Sequence, residues 1–372
     1  FGIVFSWIDP IEALKFRRIS RYFNTTCKTE NFIYSYTCKN FKIQKTYYKR
    51  VNRSFYSYLK VVSPRELDAQ IYVWGDYLSS NVRTYLKTFC RFPLTKLSLN
   101  CSKIPTAEII TLLERLPLES LQLNSYLREN NLTDDVLASI SKKRLTHLSL
   151  EHCNITNRGL SHLREMPLKR LELRWCKVTD AGLAHLSELP LEHLEIVGHN
   201  ITNAGAFHLR NLSLEYLQIE GRDITDTGVA YFQRMPLRSL KLSFCRITDE
   251  SFASLSGMPL QRLEFSKCPR LVGTGFVHLI ELPLKRLSFY RCTHLTGEGF
   301  RHLVQLPLEH LSFCDCTGVT SAGLSQIRML SSLKVLSLIR CEKISYWEIS
   351  NFQRENPHTK IYSTGTSYCS IQ

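Results

Sequence analysis

The side chains of this chain that could do chemistry recur at even intervals. Cysteine returns at Cys153, Cys176, Cys245, Cys268, Cys292, Cys316 and Cys341. A column of thiols could bind a soft metal or close disulfides. Yet no CxxC pair occurs, and each thiol comes from a different stretch of the chain. They are expected to pack as small buried apolar groups. Histidine returns in the same way at His162, His185, His208, His278 and His302, each just before a leucine. Imidazoles serve as metal ligands and general bases. Here a repeat step separates consecutive members, and no serine or carboxylate converges on them by spacing. A glycine-rich phosphate loop is also missing. The expectation is therefore no catalytic group, no metal, no cofactor and no enzyme activity.

What places these residues is one frame, used repeatedly from Arg91 to about Lys343. Met166-Pro167-Leu168-Lys169-Arg170-Leu171-Glu172-Leu173 has the same form as Leu282-Pro283-Leu284-Lys285-Arg286-Leu287-Ser288-Phe289. Prolines mark the period: Pro93, Pro117, Pro167, Pro190, Pro236, Pro259, Pro283 and Pro307 lie 23 or 24 residues apart, or about double that. Segments of the form LxxLxL run from Leu94-Leu97-Leu99 to Leu333-Leu336-Leu338. A period of roughly 20–29 residues is the mark of a leucine-rich-repeat solenoid. The expected fold is thus α/β, a horseshoe with a parallel concave sheet and outer helices.

Two periodicities sit inside each unit. Pairs such as Leu171 and Leu173, or Leu240 and Leu242, alternate with polar residues, the period of a strand with one buried face. Next come Thr179-Asp180-Ala181-Gly182-Leu183 and its counterparts, where Thr and Asp are good helix caps ahead of an apolar run. The following proline ends the helix. A single unit cannot bury its leucines, so stacking must supply the core.

The strand residues that alternate away from the core face the concave side. Arginine and large aromatic residues dominate interaction hot spots. Arg170, Arg174, Trp175, Tyr216, Phe244, Arg262, Arg286, Tyr290 and Arg291 are therefore the candidate partner surface. A merely solvated sheet face would also be polar, but it has little use for Trp175, Phe244 and Tyr290.

The frame of Cys, then Ile or Val-Thr-Asp, then Gly-Leu resembles the cysteine-containing subclass of leucine-rich repeats. That subclass is typical of F-box proteins and of bacterial effectors with eukaryote-like repeats. The start of the chain adds to the resemblance. Phe5-Ser6-Trp7-Ile8-Asp9-Pro10 and Ile19-Ser20-Arg21-Tyr22-Phe23 resemble the latter two thirds of an F-box, whose opening Leu-Pro is absent here. In that family this segment docks a Skp-family adaptor of a cullin ubiquitin ligase. The resemblance implies such an adaptor as partner, with Phe5, Trp7, Ile8, Pro10, Leu14 and Ile19 as the adaptor-binding residues. Asp9-Pro10 is also a helix-start signal in its own right. The alternative is a plain repeat scaffold or effector that binds a protein ligand without a ligase, its N-terminal helices serving only as a cap.

The domain division expected is an F-box-like segment at 1–27, a basic, aromatic-rich helical connector at 28–69, and the repeat domain at 70–372. That last domain opens on an irregular entry repeat, with a strand at Ile71-Tyr72-Val73, and ends on a closing strand near Ile361-Tyr362. Of the net charge of +15, residues 1–90 hold +9: eight Lys and seven Arg against three Asp and three Glu. Tyrosines interleave with lysines in the connector, a pattern that can bind nucleic acid, but no nucleic-acid motif accompanies it and none is expected to bind. No run reaches membrane-spanning length. An odd thirteen cysteines, read as unpaired, fit a reducing compartment. The expected location is the cytoplasm, or the host cytosol for an effector. The chain begins at Phe1 rather than Met, so the true N-terminus is expected to lie upstream.

Overall fold

The structure, a computed structural model, describes residues 30–38, 41–49, 68–72, 95–102, 104–125, 132–198 and 201–363. The F-box-like segment at 1–27 lies outside the described residues, as do 73–94 of the entry repeat and the tail after Ser363. The chain divides into two compact units, Phe1–Leu145 and Thr146–Gln372.

In the first unit, β1 (Glu30–Cys38), β2 (Phe41–Lys49) and β3 (Asp68–Tyr72) form an antiparallel sheet in the order β2-β1-β3. These strands correct the helical connector expected there. The stretch Phe32-Ile33-Tyr34-Ser35-Tyr36-Thr37 is β-branched and aromatic, which suits a pleated strand better than a helix. The strand expected at Ile71-Tyr72-Val73 is present as β3, but it pairs antiparallel with β1, with Ile71 opposite Tyr34. Two repeats follow. Their strands, β4 (Lys96–Asn100) and β5 (Ser120–Asn124), pair in parallel. The helix Thr106–Arg115 buries Ile109, Leu112 and Leu113, and the helix Asp134–Ile140 buries Val136, Leu137 and Ile140.

The second unit is a leucine-rich-repeat solenoid. Its strands are β6 (His147–Glu151), β7 (Arg170–Arg174), β8 (His193–Val197), β9 (Tyr216–Glu220) and β10 (Ser239–Ser243). They continue with β11 (Arg262–Ser266), β12 (Arg286–Tyr290), β13 (His310–Cys314), β14 (Val335–Ile339) and β15 (Lys360–Ser363). Each pairs in parallel with the next, in chain order. The closing strand is present as β15, alongside β14. Positions two and four of β6 to β14 are buried, as Leu171 and Leu173 or Leu287 and Phe289 illustrate. As far as Gln326 the helical segments of this unit are one or two turns long, whereas the last, Tyr346–Glu355, has ten residues. Those at Asp249–Leu255, Thr274–Leu279 and Phe300–Gln305 are wound as the tighter 3-10 form.

Neighbouring repeats are joined by a side-chain ladder at the helix starts. Asn157 Oδ1 accepts the Thr179 N–H at 2.9 Å, and Asp180 Oδ1 accepts that of Thr202 at 2.9 Å. Asn203 and Asp226 do the same for Thr225 and Thr248. The second atom of each group decides the cap. Asp180 and Asp226 accept the Thr202 and Thr248 hydroxyl protons, and those threonines accept a helix N–H, from Ala204 and Glu250. Asn157 and Asn203 instead donate their amides to the hydroxyls of Thr179 and Thr225. Those two threonines make no capping bond. Among these four threonines, the two that face a carboxylate cap a helix and the two that face an amide do not. The ladder also accounts for the glycine of the frame. A Cβ on Gly182 would sit 2.5 Å from Asn157 Oδ1, and one on Gly205 would collide with Asp180 Oδ1.

From Phe252 onward a second kind of rung appears. Phe265, Phe289 and Phe313 stack strand to strand, with ring centroids 5.4 and 5.7 Å apart. Phe252, Phe276 and Phe300 pack behind them, the first pair tilted at 5.5 Å and the second stacked at 6.0 Å. All six are fully buried, and burying one such side chain is worth about 2–3 kcal/mol.

Candidate interaction surface

Strand alternation sends positions one, three and five of each strand to the face opposite the helical segments. In-register parallel pairing then turns them into rows. Arg170, His193, Tyr216, Ser239, Arg262, Arg286 and His310 stand side by side in the first row. Glu151, Arg174 and Val197 begin the fifth-position row of this unit, and Tyr290 and Cys314 belong to it further on. The residue after each strand makes a third line: Trp175, Phe244 and Arg291 stand there with His152, Lys267, Asp315 and Arg340. These seven residues all adopt the left-handed conformation, with φ from +53° to +58°. For a residue with a Cβ that conformation costs roughly 1–2 kcal/mol.

The turn has two uses that offset this cost. It extends the ladder by one bond, as when the Trp175 N–H donates to Val197 O at 2.8 Å and that of Phe244 to Ser266 O at 2.8 Å. It also swings the next residue, usually cysteine, into the core. The buried thiols then donate weakly to carbonyls of the preceding repeat, Cys316 to Phe289 O at 3.5 Å and Cys341 to Phe313 O at 3.3 Å. All nine described cysteines are free, and all but Cys314 are buried. Burial pushes the thiols of Cys292, Cys316 and Cys341 up to about 12. Within the described residues, these cysteines thus pack as the expected small buried groups and act as weak donors as well.

The nine candidate surface residues therefore share three lines on one face, but they are not equally available. Arg170 bridges to Glu172 at 2.6 Å, and Arg174 engages both Glu172, at 3.2 Å, and Glu195. His193 Nε2 lies 3.0 Å from Glu195 Oε1, and its ring lies parallel to that of Tyr216. Burial opposes ionisation of Glu195. The hydrogen bonds from His193 and Arg174, with the Arg174 charge, outweigh it and hold the carboxyl at about 2. Burial, then the Glu195 charge, pushes the Tyr216 phenol up to about 12. Arg262 is 2.6 Å from Glu264, and Arg291 is 3.3 Å from Asp315. Lys267 Nζ covers the Phe244 ring at 4.1 Å. Trp175 and Tyr290 remain exposed, Trp175 at 50%. Its indole stacks on His152, 5.9 Å between centroids, and lies against Gly198, where any Cβ would meet the ring.

The glutamate network was not among the candidates. Its signal is present in the frame, since position three is Glu in two successive strands beside Arg at positions one and five. Glu172, His193 and Glu195 offer three ligand atoms within 4.8 Å of one another. A divalent cation there would have to displace Arg174 from both carboxylates, so the donor set is already satisfied by guanidinium. The histidines expected as a repeat ladder lie on the helical segments. Of these, His185 accepts a hydrogen bond from Arg164 at 3.2 Å.

Comparison with known proteins agrees with this architecture. A sequence profile of the family described as Leucine Rich repeat matches residues 143–163, 166–187 and 235–256. No curated protein matches the chain in sequence. Among solved structures, the complex of Rad7 and Elc1 from yeast is similar with a TM-score of 0.54 at 19% identity, over 78% of this chain and 76% of that one. The TLR13–ssRNA13 complex gives a TM-score of 0.44 at 18% identity, over 78% of this chain and 52% of that one. The mouse RP105/MD-1 complex gives 0.40 at 17% identity, over 78% and 63%. The repeat profile and the likeness to the Rad7–Elc1 structure identify the fold as a leucine-rich-repeat solenoid. No described helix is long and apolar enough to cross a membrane.

Proposed function

We propose that the chain is a non-catalytic recognition subunit that holds a protein target on its strand face. The observation that carries this reading is Trp175. A large apolar side chain stands half exposed, on a left-handed backbone, between His152 and Gly198. A rigid anchor of this kind loses little freedom when a partner covers it. Arg170, Arg174, Tyr216, Phe244, Arg262, Arg286, Tyr290 and Arg291 complete the proposed contact surface.

The finer part of the proposal concerns the N-terminal segment. Its resemblance to an F-box makes the chain a substrate-recognition subunit of a Skp-cullin-F-box ubiquitin ligase, docked through Phe5, Trp7, Ile8, Pro10, Leu14 and Ile19. Rad7, which shares the fold, was solved with a protein partner, Elc1; that likeness is one of fold. The free thiols suit a cytosolic location.

A pull-down of the full chain with purified Skp-family adaptor tests this. The variant carrying Ile8→Asp, Pro10→Ala and Ile19→Asp, with unchanged circular dichroism, should lose the adaptor. Absence of binding by the parent chain would leave a scaffold without ligase association.

A further inference from the structure

The strand face of the second unit is electrically divided. Over β6 to β9 the carboxylates Glu151, Glu172, Glu195 and Glu220 outnumber the cations Arg170 and Arg174. Over β10 to β14 the balance reverses. Arg262 and Arg286 stand in the first row and Lys241 in the second, while Lys267, Arg291 and Arg340 follow their strands. Only Glu264 and Asp315 oppose these six. Asp315 is shared by Arg291 and Arg340, and Glu264 by Arg262 and Lys241, so each carboxylate is outnumbered by its own partners. Arg286 is exposed and makes no ion pair among the described residues.

Between these two basic lines the surface is small and hydroxylated. Ser288, Ser312 and Ser337 sit side by side in the second row. Ser312 and Ser337 each lie within weak hydrogen-bond reach of the Cys314 thiol, at 3.5 and 3.8 Å. Over β12 to β14 the result is a trough floored by hydroxyl groups, with Arg286 on one side and Arg291 and Arg340 on the other. Parallel strands lie about 4.8 Å apart, so the serine floor runs about 10 Å across β12 to β14, enough for roughly three extended residues.

We infer that this trough takes an extended, carboxylate-rich segment of the protein target. The inference rests on the proposed reading of the strand face as a target surface, and it names the chemistry that half of that face selects. Charge complementarity favours an anionic chain, and serine hydroxyls can serve the backbone carbonyls of an extended peptide. Single-stranded nucleic acid is disfavoured because its bases need aromatic platforms. In this stretch Tyr290 is exposed, while Lys267 covers Phe244.

The test is fluorescence anisotropy of the full chain with a fluorescein-labelled oligo-glutamate peptide, beside an oligo-lysine peptide and a single-stranded oligonucleotide. Oligo-glutamate should bind, and more weakly as salt rises. The pair Arg286→Glu and Arg291→Glu should weaken it by about tenfold or more. Ser312→Glu, which puts a charge on the floor, should act in the same direction. The pair Arg234→Glu and Arg301→Glu changes the net charge equally away from the trough and should move affinity by no more than about twofold. Equal loss in both pairs, preference for the oligonucleotide, or no peptide binding would overturn the inference. Adaptor pull-down on the same preparation separates the two readings. Adaptor bound without peptide defeats the trough alone, and peptide bound without adaptor defeats the ligase role alone.

Discussion

The imidazole of His193 and the phenol ring of Tyr216 lie face to face, 3.9 Å between centroids and 4° from parallel. The stack joins two strands and points the far edge of the imidazole at Glu195. Tyr216 thereby helps set the geometry of a carboxylate that it does not itself hydrogen-bond.

Glu195→Gln should destabilise the protein by about 2–3 kcal/mol, since the buried position keeps its partners but loses the charge that they face. The pH dependence has a definite sign. The carboxyl is held at about 2, against an ordinary 4.5. Its contribution is fully present above pH 4.5 and is lost as pH falls towards 2. Urea unfolding at a series of pH values should show the parent losing stability in this acid window, and the variant losing less.

Asn203→Asp should stabilise the protein by about 0.5–1 kcal/mol. Asn203 at present donates to the Thr225 hydroxyl at 2.8 Å, and Thr225 makes no helix cap. A carboxylate would accept the hydroxyl proton instead, as Asp180 does from Thr202, and free the oxygen for a helix N–H. Asn203→Ala should destabilise, by about 1–2 kcal/mol. Thermal unfolding of both variants checks the pair of signs.

Gly198→Ala should destabilise by about 1–2 kcal/mol or more. The residue has φ +78°, and the new methyl would meet the Trp175 ring. In a double variant with Trp175→Ala, the part due to the ring should disappear and the part due to the backbone should remain. Additive losses in the double-mutant cycle would refute the contact.

Alkylation by iodoacetamide at mildly alkaline pH should single out Cys314 among the described cysteines. It is the one that is not fully buried, whereas Cys292, Cys316 and Cys341 are both enclosed and held at about 12. Peptide mapping by mass spectrometry reads the order of labelling.

The repeats were legible because a period-two strand and a short helix recur at a fixed step, and any one unit predicts the next. The rows of the candidate surface follow from the same register. What was hidden depends on contacts between units. The exchange of roles between Asn157 and Asp180 is invisible until Thr179 and Thr202 are placed beside them. The left-handed turns at Trp175 and Phe244 give no glycine signal, because the conformation is imposed by neighbouring strands. The strands at Glu30–Cys38 and Phe41–Lys49 are hidden in the sequence because lysines and tyrosines interleave there without the clean apolar-polar alternation that marks a strand.

Neighbouring repeats are coupled by two chemistries that answer differently to temperature. From Asn157 to Asp249 the coupling is by hydrogen bonds at the helix starts. From Phe252 to Phe313 it is by stacked buried rings. Apolar association weakens on cooling, and a hydrogen-bonded ladder does not rest on apolar hydration. The buried leucine core is common to both stretches, so the stacked rings are an apolar coupling that the trough strands carry in addition to it.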